Sequence, residues 1–299
     1  MSLAAGAPDT PADLVVQAPG LSAQAIGAFH RQFATAPMRH QAASIRLIEV
    51  GAATAVAATV AELAARWRCD AALVPPRWAL SDFRVLALDM DSTLIQGESL
   101  DELAALAGVG PAVAAVTRAA MHGELGDYSD SLRQRVALLA GADASLLQTV
   151  AQHSQLSPGA ERLLGVAQRA GLRTLLVTGG FGFFARILQR RLGIDAVCTN
   201  EVELADVRLT GRVHGPPEHP GQLVDAQGKA AALQRACDQI GGSTQQAIAL
   251  GDGANDLPML ALAGVGVAYH AKPKVRASAA YTLDYCGLDG VLEWFGDTC

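Results

Sequence analysis

The sequence predicts an α/β protein: a parallel sheet with a helical insertion, preceded by a smaller α/β unit. Three observations carry this. Short runs at residues 84–88, 173–177 and 246–250 have the length and apolar continuity of strands buried on both faces. Helix-like sequence separates each run from the next, as parallel crossovers require. Each run also breaks off into a polar, small-residue loop: Asp89-Met90-Asp91-Ser92-Thr93, Thr178-Gly179-Gly180-Phe181 and Gly251-Asp252-Gly253-Ala254-Asn255-Asp256. Parallel strands end on one edge, where such sheets bind ligands, so Asp89, Asp91, Thr178, Asp252 and Asp256 are expected to meet there.

Along the chain, residues 1–12 are rich in Ala, Pro and Gly and are expected to be disordered. Apolar periodicity then predicts a strand over 13–17, a helix over 22–33, a strand over 44–50, a helix over 52–67 and a strand over 71–74. Pro75-Pro76 ends that alternation as a natural linker, dividing a small regulatory or dimerisation unit, 13–76, from a catalytic unit, 77–299. After the first catalytic strand, residues 100–150 are helical in pattern with no strand run. Inserted between the first two loops, they predict a helical cap, about residues 98–155, above the catalytic edge. Residues 202–213 alternate apolar and polar, predicting a hairpin although Ala205-Asp206 lacks the usual turn glycine, and the prolines of 214–222 predict a loop. Lys229 opens an Ala-rich helix, 230–240, and Asp256 stands before the last core helix.

The chemistry of the edge set is that of phosphoryl transfer. A strand-end carboxylate can attack phosphorus if a metal offsets the combined negative charge, and Asp89 is the candidate nucleophile. Asp91, two residues on along an extended backbone, is the candidate acid and base. Asp89, Asp91 and Asp252 together form a hard oxygen site of the kind magnesium prefers. Thr178 and the amides of Gly179 and Gly180 offer donors to phosphate oxygens, and Lys229 a point positive charge.

These four motifs resemble those of the haloacid dehalogenase superfamily, which implies a Rossmann-like hydrolase core. Glu98 in its stretch Ser92 to Glu102, Met121-His122-Gly123-Glu124-Leu125, and Tyr128 to Val136 with Arg135 further resemble the phosphoserine phosphatases, in order and spacing, over about residues 84–295. The resemblance implies magnesium-dependent hydrolysis of O-phospho-L-serine through an aspartyl-phosphate, the last step of serine synthesis. It makes Asp89 the nucleophile, Asp91 the acid/base and a metal ligand through its backbone carbonyl, and Asp252 a metal ligand. Asn255 and Asp256 would position metal waters and Lys229, and Thr178 and Gly179 would hold phosphate. Glu98 would take the substrate ammonium, Arg135 its carboxylate, and Tyr128 would wall the pocket. Thr178 stands where the family usually has Ser, and Tyr128 where it usually has Phe. The N-terminal unit is loosely similar to the amino-acid-binding, ACT-like domains fused to some of these enzymes; a packing or dimerisation module without ligand reads equally well, and a homodimer through it is an expectation.

Taken singly, each residue has an ordinary explanation. An Asp-x-Asp after an apolar run is usually a turn or cap, Thr178 an N-cap, Lys229 a solvated helix residue, Glu98 and Arg135 surface charges, and Tyr128 core filler. The ordered conjunction overrides them. Two rivals stay open: a phosphatase or phosphotransferase of the same superfamily acting on another small phosphorylated amine, and a non-catalytic amino-acid sensor.

Composition is consistent with an enzyme. At 299 residues and 51% hydrophobic the chain can bury a sizeable core. A net charge of -6 argues against nucleic-acid binding, which needs a basic face. Cys69, Cys198, Cys237, Cys286 and Cys299 are odd in number and widely spaced, as expected of reduced thiols in a cytoplasmic protein. No signal-peptide pattern opens the chain, and the Ala-rich stretch 51–67 carries Glu62 and is too short to span a bilayer.

Overall fold

A computed structural model describes residues 11–34, 36–40, 44–122 and 126–296. The N-terminal unit comprises β1 (Asp13–Gln17), α1 (Ala23–Gln32), β2 (Met38–His40), β3 (Ser44–Leu47), α2 (Ala53–Trp67) and β4 (Asp70–Val74). These form a four-stranded sheet in the order β2-β3-β1-β4, with every pairing antiparallel. This is the split β-α-β arrangement: two crossovers interleave so that each parallel pair is separated by an antiparallel strand.

β2 is a strand that apolar patterning missed, because Arg39 and His40 are exposed and a run of three residues is too short to show a period. β3 stops at Leu47, earlier than expected, because Glu49 turns left-handed (φ 53°) and its amide donates to the Asp13 carboxylate at 3.0 Å. The disorder expected for residues 1–12 lies outside the described residues up to residue 10. Pro11 and Ala12 are ordered: Pro11 bridges to Ala52 and the Ala12 amide donates to the Gly51 carbonyl.

The second unit continues with β5 (Val85–Leu88), then α3 (Ser99–Leu106), α4 (Gly110–Met121), α5 (Tyr128–Ala137) and α6 (Ser145–His153), all helical over the stretch where a cap is expected. α7 (Ala160–Arg169), β6 (Arg173–Phe181), α8 (Gly182–Leu192) and the hairpin β7 (Ala196–Ala205) and β8 (Arg208–His214) follow. Next come α9 (Ala226–Gln239), β9 (Ala247–Gly251), α10 (Leu257–Leu262), β10 (Val265–Tyr269), α11 (Pro273–Ser278) and β11 (Tyr281–Leu283). The sheet order is β11-β10-β9-β5-β6-β7-β8, parallel except for β8.

Both faces of this sheet are buried, as continuous apolar strands require. Leu86 and Leu88 face one apolar cluster, Val85 and Ala87 the other. β5 lies at the centre with β9 and β6 on either side, so the three polar loops leave one edge side by side. The hairpin turns at Asp206, whose left-handed φ of 54° takes the place of the missing glycine. The two connections to the cap run together: Ile95 bridges to Leu156, the Gln96 amide donates to the Gln155 carbonyl, and that of Ser157 to Leu94.

Pro75-Pro76 joins two parts that share a core rather than separating them. Val15, Ala72 and Val74 pack in one cluster with Phe83, Trp294 and Phe295. The Arg46 guanidinium, paired with Asp13 at 3.0 Å, also donates to the Trp294 carbonyl at 2.6 Å. The Asp70 carboxylate accepts from the amides of Asp284, Tyr285 and Cys286. A chain beginning near Ser81 would uncover Trp294 and Phe295, both fully buried, and leave those amides without acceptors. We expect such a chain to unfold at a markedly lower temperature than the full chain while each folded molecule keeps its turnover. Thermal unfolding together with activity well below the melting temperature checks this; an unchanged melting temperature would show that the shared core contributes nothing.

Candidate active site

The first loop turns sharply to aim its carboxylates. Asp89 still follows the sheet, its amide donating to the Leu250 carbonyl at 3.0 Å. Asp91 is extended (φ -66°, ψ 137°), Ser92 turns left-handed (φ 54°), and the Leu94 amide closes back on the Asp89 carbonyl at 3.2 Å. A left-handed serine costs on the order of 1 kcal/mol. Two contacts hold it: the Ser92 amide donates to the Gly97 carbonyl at 2.9 Å and its hydroxyl to the Glu98 carboxylate at 2.8 Å.

The charges converge on Lys229. Sequence pattern puts Lys229 at the start of helix 230–240; α9 instead begins at Ala226, because the Asp225 side chain caps it by accepting from the Gly228 amide at 2.8 Å. Lys229 therefore sits in the first turn, where the helix dipole disfavours a cation. Its ammonium, 1% exposed, lies 2.7 Å from both Asp89 Oδ1 and Asp256 Oδ1. Burial alone would lower its pKa, but Asp256 and Asp89 outweigh that and hold the ammonium above its ordinary value. Asp89 Oδ1 has Lys229 as its charged partner and no other partner among the described residues.

Asp256 stands both beside Lys229 and before the last core helix. It precedes α10, yet its side chain accepts instead from Lys229 and from the Gly253 amide at 2.9 Å. Asn255 lies half-buried on the same turn. Asp252, from the loop after β9, accepts from the Thr93 hydroxyl at 3.2 Å.

Asp89, Asp252 and Asp256 each bring a carboxylate oxygen within 4.8 Å of the others. One lysine faces three carboxylates, so the cluster carries surplus negative charge in a buried setting, and hard oxygens of this kind suit a small divalent cation. The Asp91 carboxylate, which sequence pattern groups with Asp89 and Asp252, turns away from this cluster to accept from the Ser99 amide at 2.8 Å, at the start of α3.

Burial sets the protonation of all three loop carboxylates. It raises Asp89, with Asp256 adding to the rise and Lys229 opposing it. It pushes Asp91 up to about 7, reinforced by Glu98 and opposed by the Ser99 amide. Asp252 rises to about 6, by burial and then by the neighbouring Asp256 and Glu98. A carboxyl poised near neutrality is what a group that both gives and takes a proton needs.

On the other side, β6 loses register with β7 between Val177 and Phe181. This irregularity swings the Thr178 loop out of the ladder toward the site. The Gly180 amide, expected to be a phosphate donor, donates to Thr178 Oγ1 at 2.8 Å. The Gly179 amide and the Thr178 hydroxyl remain as donors. A methyl group at Gly179 would overlap the Tyr128 hydroxyl, and one at Gly180 would lie 2.9 Å from Asp91 Oδ2, so both glycines are required by close approach.

Tyr128, on α5, thus packs on the Thr178 loop, and burial pushes its phenol up to about 12. Arg135, about two turns further along α5, uses only its Nε, on the Ser131 carbonyl, and has no ion-pair partner among the described residues. Glu98 is likewise without a cation there, held by Ser92 alone. Residues 123–125 of the Met121 stretch lie outside the described residues.

Sequence reasoning missed Thr93, Ser99 and Asn200. Thr93 serves through Asp252, far away in the chain, Ser99 through its backbone amide on Asp91, and Asn200 looks in sequence like an ordinary polar residue of a strand. A cavity of about 880 Å³ lies elsewhere, between α2, β4 and the β11 edge, and holds none of these groups; chemistry rather than volume locates the site.

Comparison with known proteins agrees with this geometry. The family profile of haloacid dehalogenase-like hydrolases matches residues 86–261. A phosphoserine phosphatase of Polaromonas sp. is 50% identical over 219 residues, 73% of this chain and 92% of its own. Among solved structures, a haloacid dehalogenase family hydrolase from Salmonella enterica serovar Typhi superposes with a TM-score of 0.84 at 29% identity, covering 96% of this chain and 99% of its own. A probable phosphoserine phosphatase from Vibrio cholerae superposes at 0.79 and 34% identity, covering 95% and 86%.

Proposed function

Since the chain belongs to the haloacid dehalogenase-like hydrolases, we propose that its Asp89 edge hydrolyses O-phospho-L-serine to L-serine and phosphate, the closing step of serine synthesis. The observation that carries the substrate reading is a carboxylate and a guanidinium beside the site, Glu98 and Arg135, neither paired with an opposite charge among the described residues. A substrate with one ammonium and one carboxylate on the same carbon matches that pair. The relationship to the Polaromonas enzyme points the same way.

Asp89 attacks phosphorus as the serine oxygen departs; Asp91, holding a proton near neutral pH, delivers it to that oxygen. Asp91 then takes a proton from water, which attacks the aspartyl-phosphate and frees Asp89. Lys229 balances the charge of Asp89 and the phosphate, while Thr178 and the Gly179 amide donate to phosphate oxygens. Asp256 keeps Lys229 in place. Tyr128 walls the pocket, and the cap helices shield it from water. Asp89, Asp252 and the Asp91 backbone carbonyl would hold magnesium, with Asn255 on the same turn as Asp256, and the ion would supply further charge neutralisation to nucleophile and phosphate.

A panel of phosphorylated amino acids, other phosphorylated amines and sugar phosphates, assayed with and without magnesium, tests the reading. Phosphoserine should be turned over fastest, and only with the metal; preference for another phosphorylated amine would move the assignment to the first rival.

Metal and protons compete for the Asp89 and Asp252 carboxylates, which yields a stability prediction. Asp91 rises to about 7 and Asp252 to about 6 in the folded state, and Asp89 is raised as well, so the folded protein binds more protons than the unfolded chain above about pH 4. In the absence of metal the contribution of Asp252 and Asp91 is complete below about pH 4 and lost as pH rises through 6 and then 7. Each tenfold excess in a carboxylate's proton affinity over the unfolded chain corresponds to about 1.4 kcal/mol. Magnesium should therefore raise the melting temperature more at a pH of about 7.5 than at about 5. Equal rises at the two pH values would place the ion away from these groups.

The reading carries a cytoplasmic location, supported by Cys69, Cys198, Cys237 and Cys286 being unpaired. Among the described residues no helix is long and apolar enough to cross a membrane. It also carries a homodimer through the N-terminal unit, for which α2 offers the exposed Ala58, Ala61 and Ala65; light scattering coupled to chromatography measures it.

A further inference from the structure

We infer that Asn200, fully buried in β7, is a positioning residue that ties the phosphate loop to the segment carrying Lys229. Its Nδ2 donates to the Gly179 carbonyl at 2.9 Å and to the Val224 carbonyl at 3.4 Å, and its Oδ1 accepts from the Val224 amide at 2.7 Å. One side chain thus joins two segments that approach the site from different directions.

The need for it follows from the sheet. Where β6 loses register with β7, the Gly179 carbonyl leaves the ladder, and a buried carbonyl without a partner is costly. Asn200 supplies that partner from its own side chain. With the carbonyl held inward, the plane of the Gly179–Gly180 peptide is fixed and the rotation open to Gly179 is restricted, which limits the direction of the Gly179 amide. At its other end the same amide group holds Val224, next to Asp225, the residue that caps α9 and accepts through its carbonyl from the Lys229 amide at 2.9 Å. Two groups assigned to the phosphate, the Gly179 amide and the Lys229 ammonium, therefore share one buried anchor that touches no reacting atom.

This rests on the proposed phosphate-binding role of Thr178, Gly179 and Lys229, and the test separates the two. In full-length protein with saturating magnesium, Asn200→Ala should weaken competitive inhibition by inorganic phosphate about tenfold or more, as misplacing a donor to a charged group would. kcat should fall by a similar factor on phosphoserine and on an aryl phosphate alike, since both present the same phosphoryl group. The magnesium concentration giving half-maximal activity should not move, because Asp89 and Asp252 make no hydrogen bond with Asn200. Thr178→Val is the control. If it leaves phosphate inhibition unchanged, the phosphate-loop reading itself fails. If it weakens inhibition while Asn200→Ala lowers only the melting temperature, with phosphate inhibition and kcat intact, Asn200 is a residue of the fold and the inference is overturned. Asn200→Ser serves where Asn200→Ala does not fold; failure of both to fold also overturns it.

Discussion

Asp89→Asn is expected to abolish turnover of phosphoserine while leaving the fold and magnesium-free stability near those of the parent. An amide has the shape of the carboxylate but cannot form the acyl-phosphate, so no covalent route remains. The loss should exceed the roughly 10²–10⁴-fold that removal of an acid/base group brings, which is the expectation for Asp91→Asn. Stability is the informative second measurement. Asp89 is buried with a raised pKa, so the parent bears a desolvation cost that Asn does not; against this, Lys229 loses one of its two carboxylates. Asp256 remains 2.7 Å from the ammonium, so the lysine keeps a counter-charge. Near-normal turnover of phosphoserine by the variant would falsify the nucleophile assignment. Trapping of a phosphorylated protein from the parent, and its absence from the variant, checks the same point chemically.

Arg135→Ala should lose most of its activity on phosphoserine and little on an aryl phosphate, and Glu98→Ala should do the same to a smaller degree. Each removal leaves a substrate charge unpaired, at roughly 2–5 kcal/mol where the pair is desolvated, as for Arg135, and less where water can replace it, as for Glu98. The two residues differ in setting. Arg135 is partly buried on α5, whereas Glu98 is open to solvent and water can replace part of what it offers. The larger effect therefore belongs to Arg135. KM should carry most of the change, since these contacts are made to groups that do not react. Equal losses on both substrates would mean that the pair supports the fold or the phosphate site, and the substrate assignment would retreat to a phosphatase of the superfamily.

The parallel sheet, the cap and the catalytic edge were legible because their signals are local. Continuous apolar runs such as 85–88 and 247–250 leave no polar face, so each strand must be buried on both sides and its polar loop must emerge at the edge. Asp89, Asp91, Thr178 and Asp252 could be located this way before any contact was known. The differences have two causes, a neighbouring side chain that caps a turn and a partner elsewhere in the chain that overrides a local preference. α9 starts at Ala226 because Asp225 caps it, and the Asp91 carboxylate accepts from the Ser99 amide at the head of α3. β2 exists because β3 offers it a ladder, not because Met38–His40 has a strand pattern of its own.

Residue order was therefore enough to mark which carboxylates and which hydroxyl stand near strand ends, and in what succession. How those charges are shared is a matter of the folded arrangement. Lys229 serves both Asp89 and Asp256 through two distances of 2.7 Å between segments far apart in the chain. The union of the N-terminal unit with the catalytic core rests likewise on Arg46 reaching Trp294 and Asp70 reaching Asp284. Periodicity reports which face of an element is buried but not against what, because burial is a property of one residue and its surroundings while pairing belongs to two residues at once.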